Sequence, residues 1–178
     1  MLSYGGKDLA NAFRTVRKNT IQVAEDIPES KYDHVAAPEV RSVGCMLTHI
    51  ALATRVAEDI DKKRTTTLVG YDFFGLLDRF KAEEAKTRSK TEILELLRTE
   101  GERFAAWLET LTPEFLGERV TEPDGKATKS RFERLLGSKE HEMHHRAQLM
   151  LIERQLGIVP HLTRQFNERV AQMRAARA

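Results

Sequence analysis

The chain is poor in the residues that make unusual chemistry easy: one cysteine, one tryptophan and five prolines among 178 residues, with aromatics at only 7%. A single thiol, Cys45, excludes an internal disulfide and any cysteine-cluster zinc site. No apolar run approaches the roughly 20 residues of a membrane span. The opening Met-Leu-Ser-Tyr-Gly-Gly lacks a basic stretch followed by an apolar run, so no signal peptide is expected and a cytoplasmic location is. Charge of one sign is missing as well. Twenty-nine basic residues against 27 acidic leave a formal +2, too little to make nucleic acid or an anionic membrane the main partner. No internal repeat, low-complexity tract or linker interrupts the sequence, and no segment alternates long enough to be a convincing strand.

What is present is helical periodicity. Apolar residues make up 40% and charged residues 31%, which suits amphipathic helices with solvated outer faces in one domain. Leu9, Phe13, Val16, Thr20, Val23 and Ile27 form one face of a first helix, stopped by Pro28. Val43, Leu47, Ile50, Ala53 and Ile60 mark a second, expected to start near Pro38 or Glu39. A long connection, roughly 61–90, holds Phe73, Phe74, Leu76, Leu77 and Phe80. That is too apolar for a bare loop, so a short packed helix is expected there, with Phe73, Phe74 and Trp107 in the core.

Ser89 and Glu92 have the spacing of a capping box and open a third long helix that runs to Thr112-Pro113. Pro123-Asp124-Gly125 is a turn, with a small hairpin or irregular loop around it. Ser130 and Glu133 form a second capping box, opening a fourth helix that ends at Gly157. Residues 1–160 then make an all-α four-helix bundle with one long crossover, and residues 161–178 a C-terminal helix or tail packed on it. The tail arginines Arg164, Arg169, Arg174 and Arg177 suit a solvated face or a dimer contact.

Three of the six histidines lie in His141-Glu142-Met143-His144-His145. On a helix, His141 and His145 share one face, one turn apart, and two such imidazoles can point nitrogens at one ion. Exposed histidine pairs also occur without any ion. His49 changes the balance, because it flanks the apolar stripe of the second helix and faces the bundle interior or its rim. Buried neutral imidazoles need partners for their nitrogens, and a shared divalent ion satisfies several at once. Three neutral histidines leave a tetrahedral ion an open position, the arrangement of a catalytic site.

Met-Leu-Thr-His49-Ile-Ala, a long crossover, and His141-Glu-Met-His-His145-Arg-Ala-Gln-Leu closed by Gln-Leu-Gly157 together resemble the DinB-like family, over roughly residues 7–157. The resemblance implies a four-helix bundle with helices 2 and 3 parallel, a divalent ion (zinc or nickel) on His49, His141 and His145, and a homodimer. His144 matches no ligand position, and Ala147 stands where relatives often have glycine. Related proteins include transferases that use low-molecular-weight thiols such as mycothiol or bacillithiol. The resemblance thus points to a metal-dependent transferase joining such a thiol to a small electrophile. Metal-assisted hydrolysis and a non-catalytic metal-binding or stress-response protein stay open beside it.

His141-Glu142-x-x-His145 also satisfies the zinc-protease pattern, with Glu142 as general base. Its metzincin extension fails, because Gln148 and Leu151 stand where glycine and histidine are required. A thermolysin-like version would take Glu168 as third ligand and leave His49 without a role. Cys45, one turn before His49, reads as a small buried thiol or a fourth ligand. Gln148, one turn beyond His145, is a pocket residue or a plain polar one, and Arg146 is expected to pair with Glu142 or Glu153.

Overall fold

The computed structural model describes residues 4–177. Helix α1 (Gly6–Asp26) buries Leu9, Phe13, Val16 and Val23, the residues whose three- and four-residue spacing marks its inner face. A single 3₁₀ turn follows Pro28. Helix α2 (Val43–Lys62) starts later than Pro38 or Glu39. The chain turns there, with Glu39 in the left-handed region at φ 63°, and Ser42 then caps α2 by accepting from the Cys45 amide. The crossover contains α3 (Phe73–Glu84), a full three turns.

Helix α4 (Lys90–Glu109) opens on the Ser89–Glu92 capping box, and α6 (Arg131–Gln155) on the Ser130–Glu133 box. Between them lie a short α5 (Pro113–Gly117) and an antiparallel ribbon of β1 (Arg119–Thr121) and β2 (Thr128–Ser130) around the Pro123-Asp124-Gly125 turn. This ribbon of three-residue strands, with a parallel bridge from Thr67 to Thr121 beside it, is a small departure from an all-α chain. Past Gly157, at φ 79° where glycine meets no Cβ penalty, the chain continues into α7 (His161–Ala175).

The four long helices α1, α2, α4 and α6 form the bundle. Helices α2 and α4 run parallel: Gly44 lies against Ile93, Arg55 bonds Glu100, and Arg103 reaches Glu58. A parallel pair needs the long crossover that α3 occupies. The core divides into two large clusters and a small third one of Ile60, Leu68 and Val120. Of the large ones, one joins Val23, Leu47, Ile93 and Leu149; the other, at the opposite end, joins Phe13, Phe104, Leu108 and Leu135.

Between them sits Arg17, 4% exposed, which ties all four helices together. Its Nε donates to both oxygens of Glu142 at 2.9 and 3.0 Å, Nη1 to the Leu97 carbonyl and Nη2 to the Ile50 carbonyl. Gly101 on α4 makes room for it, since a Cβ there would lie 2.8 Å from Arg17 Cγ. No described helix is long and apolar enough to cross a membrane.

Three packing expectations need correction. Phe74 is 80% exposed and Phe73 43%, because α3 lies on the outside of the bundle and turns Leu76 inward instead. Arg146 pairs with neither Glu142 nor Glu153: Arg17 already holds Glu142, and Arg146 donates to the Val16 carbonyl. Arg164 is no solvated tail charge, since it bonds Asp26 at 2.6 Å and docks α7 on α1.

Candidate metal centre

Antiparallel packing of α2 on α6 brings His49 to His141 and His145. One nitrogen from each of the three lies within 4.8 Å of the others, and His49 Nε2 is 3.1 Å from His141 Nε2. Nitrogen ligands about 2.1 Å from one ion stand at most about 4.2 Å apart, so a small inward closure completes a site. All three imidazoles are half-buried, and a neutral imidazole carries a lone pair on the ring nitrogen that has no proton, so three such nitrogens crowded this closely suit a divalent ion. Burial, with His145 and His49 adding to it, pushes His141 down to about 4. Burial also lowers His145, against a hydrogen bond that acts the other way. Both rings are therefore neutral at neutral pH, the form that binds metal.

Two side chains orient the rings. Glu84, at the end of α3, accepts from His49 Nδ1 at 2.6 Å, which leaves Nε2 as the free donor atom. Burial pushes the Glu84 carboxyl up, but the His49 hydrogen bond and nearby Arg41 outweigh it and hold the group below its ordinary value. Gln148 does the same for His145, accepting from its Nδ1 at 2.8 Å, while its amide nitrogen lies 3.3 Å from His144 Nε2. His144 is exposed and outside the cluster. Gln148 is thus a positioning residue rather than a plain surface one.

Glu84 is the residue that sequence reasoning missed. It lies 35 positions from His49 with no local motif around it, and its one signal is register: Phe73, Leu77, Phe80 and Glu84 fall on one helical face. Cys45 is not among the clustered ligands; its half-buried thiol is pushed up by burial and then by Glu84, which keeps it protonated. A cavity of about 290 Å³ adjoins His49 and His141 between α2, α3 and α6. A groove of about 700 Å³ touches His145 and Gln148 on the other side, walled by Val40, Arg41 and Leu151.

The zinc-protease arrangement is not formed. Glu142, next to His141 in sequence, points into the core and is 2% exposed, with both oxygens held by Arg17. Glu168 is exposed on α7 and outside the cluster, whose third member is His49.

Residues 12–149 match the family model of the DinB superfamily. The chain belongs to the DinB superfamily. YfiT from Bacillus subtilis, described as a probable metal-dependent hydrolase with an unusual four-helix bundle topology, is similar in structure at a TM-score of 0.68 and 20% identity, over 89% of this chain and 91% of that one. A DinB-like protein of the same organism, YjoA, is similar at a TM-score of 0.62 and 22% identity, over 84% and 92%. At such identities these likenesses show the DinB fold and not an activity. No curated protein matches the sequence.

Proposed function

We propose that this DinB-superfamily protein binds one divalent ion, zinc or nickel, on His49, His141 and His145, and transfers a low-molecular-weight thiol to a small electrophile. The observation that carries the reading is the convergence of three half-buried imidazoles, two with their other ring nitrogen already committed to Glu84 and Gln148. When bound, the ion would supply Lewis acidity at neutral pH, enough to hold a thiol as its nucleophilic thiolate. The chain supplies the rest. Glu84 fixes the His49 tautomer, and its charge makes that ring a stronger donor. Gln148 fixes His145. The cavity bounded by Leu77 and Phe80 gives an apolar electrophile a wall that excludes water. A homodimer in the cytoplasm belongs to this proposal.

Metal-assisted hydrolysis is the second reading, favoured by the description of YfiT, and the same three-histidine set suits it. Metal content of tag-free protein, measured beside His49→Ala, tests the site. About one ion per chain is expected, lost in the variant; retention in the variant sinks the triad. Adding mycothiol or bacillithiol to cobalt-substituted protein then separates the reactions. A shifted visible spectrum supports thiol transfer, and an unmoved spectrum with a solvent-exchangeable ion favours hydrolysis. A cobalt ion closed to both thiol and water marks a structural metal.

A further inference from the structure

We infer that α7 is a peripheral membrane contact, which lays its outward face on the surface of an anionic lipid bilayer. This contact does not depend on the metal site.

A helix on the surface of a bundle ordinarily turns its apolar stripe inward, as α1 does. Helix α7 is turned the other way. Its bundle side is polar: His161 bonds Asn19 and Arg164 bonds Asp26, both on α1. At about 100° per residue, Glu168 follows on that same side. Leu162, Phe166, Val170 and Met173 recur at steps of four, four and three residues and make the opposite face. Phe166 is 65% exposed and Met173 54%, with Leu162 and Val170 half-buried beside them. Past Arg164 every described residue except Val170 is exposed, so the first turn anchors the helix and the rest is open to solvent.

Charge then selects what covers the stripe. The formal +2 of the chain is unevenly placed. Residues 161–178 hold Arg164, Arg169, Arg174 and Arg177 against Glu168 alone, a local +3, so the preceding 160 residues carry −1. Asp26 takes Arg164, while the other three arginines are exposed. Around the axis, Arg169 lies about 60° to one side of Phe166 and Arg174 about 80° to the other. A guanidinium on each flank of an apolar stripe lets the apolar side chains enter the acyl boundary while the cations stay at the level of the lipid phosphates. Both flanks carry one sign and no acid interrupts them, which a uniformly anionic plane matches over the roughly 16 Å from Leu162 to Met173. A nucleic acid would pair the arginines and leave Phe166 and Met173 in water. A second copy packed stripe to stripe would set arginines against arginines.

Co-sedimentation of the tag-free full chain with vesicles tests the assignment, using equal parts phosphatidylglycerol and phosphatidylcholine beside phosphatidylcholine alone. At 0.1 M salt the partition coefficient should be about tenfold or more higher on the anionic vesicles, and at 0.5 M salt it should fall toward the neutral value. Phe166→Ser should weaken anionic binding about five- to tenfold. The pair Arg169→Gln with Arg174→Gln should weaken it about tenfold or more. Melting temperature and metal content should stay unchanged in both variants, because all three side chains are exposed. No preference for anionic vesicles, or binding that survives both variants, overturns the assignment. Binding of poly-L-glutamate but not of vesicles overturns it in favour of an acidic protein. Self-association without vesicle binding, dissolved by Phe166→Ser, overturns it in favour of a second copy.

Discussion

His141 and Glu142 are neighbours in sequence and opposites in environment. Glu142 turns into the bundle, where Arg17 meets both of its oxygens and ties α1, α2, α4 and α6 together. His141 turns to the α2 side, where it stands with two other imidazoles at the edge of a cavity. The first cluster is closed: donor and acceptor are matched and water is excluded. The second is left open, with nitrogen facing nitrogen at 3.1 Å. One helix thus carries a closed ion pair on one face and an open histidine cluster on the next, and the difference lies in how completely the chain itself matches donor to acceptor.

The contrast can be broken most forcefully from the closed side. Arg17→Met strands a buried carboxylate and should cost about 3–5 kcal/mol by denaturant unfolding. Metal content at temperatures where the variant stays folded should be unchanged; loss of metal there would show the two clusters to be one network.

A third acid of α6 sharpens the comparison. Glu153 is fully buried, and neither oxygen has a hydrogen-bond partner among the described residues. Burial, reinforced by Asp26, raises it from the ordinary 4.5 to about 7. A carboxyl raised in the folded state contributes stability below its unfolded pKa and loses it as pH climbs through the folded value, here between 4.5 and about 7. Glu153→Gln should therefore stabilise the protein by up to about 3 kcal/mol near pH 8 and change little near pH 4. Equal effects at both pH values would mean that folding does not raise the Glu153 carboxyl.

The smallest effect belongs to the open cluster. Glu84→Ala should lower metal affinity about 10- to 100-fold, or about 1.4–2.7 kcal/mol, in competition with a chelator. Unchanged affinity would show that His49 is oriented by something other than α3.

The helices were legible because their signals are local. Capping boxes at Ser89 and Ser130, apolar residues three and four apart, and Gly157 each act within a turn or two, and the structure has a helix at each. The start of α2 differs from expectation because the chain turns at Glu39 after Pro38 and the cap falls at Ser42. His141 and His145 were visible as a pair for the same local reason. Joining His49 to them rests on its place beside the apolar stripe of the second helix and on a family resemblance, and the structure brings all three together. Glu84 gave no such sign, and the pairing of Glu142 with Arg17, 125 positions away, was read as Arg146 instead.

The sequence by itself determined that the chain is helical, where α4 and α6 begin and end, and which histidines of α6 share a face. Those outcomes follow from backbone capping and from periodicity, which act over a few residues. Only the tertiary structure decided which acid would orient His49 and which would be sealed in the core. Helix packing chooses partners across 35 residues for Glu84 and 125 for Glu142, by how α3 and α1 settle against their neighbours. Nothing in the local chemistry of a glutamate records that choice.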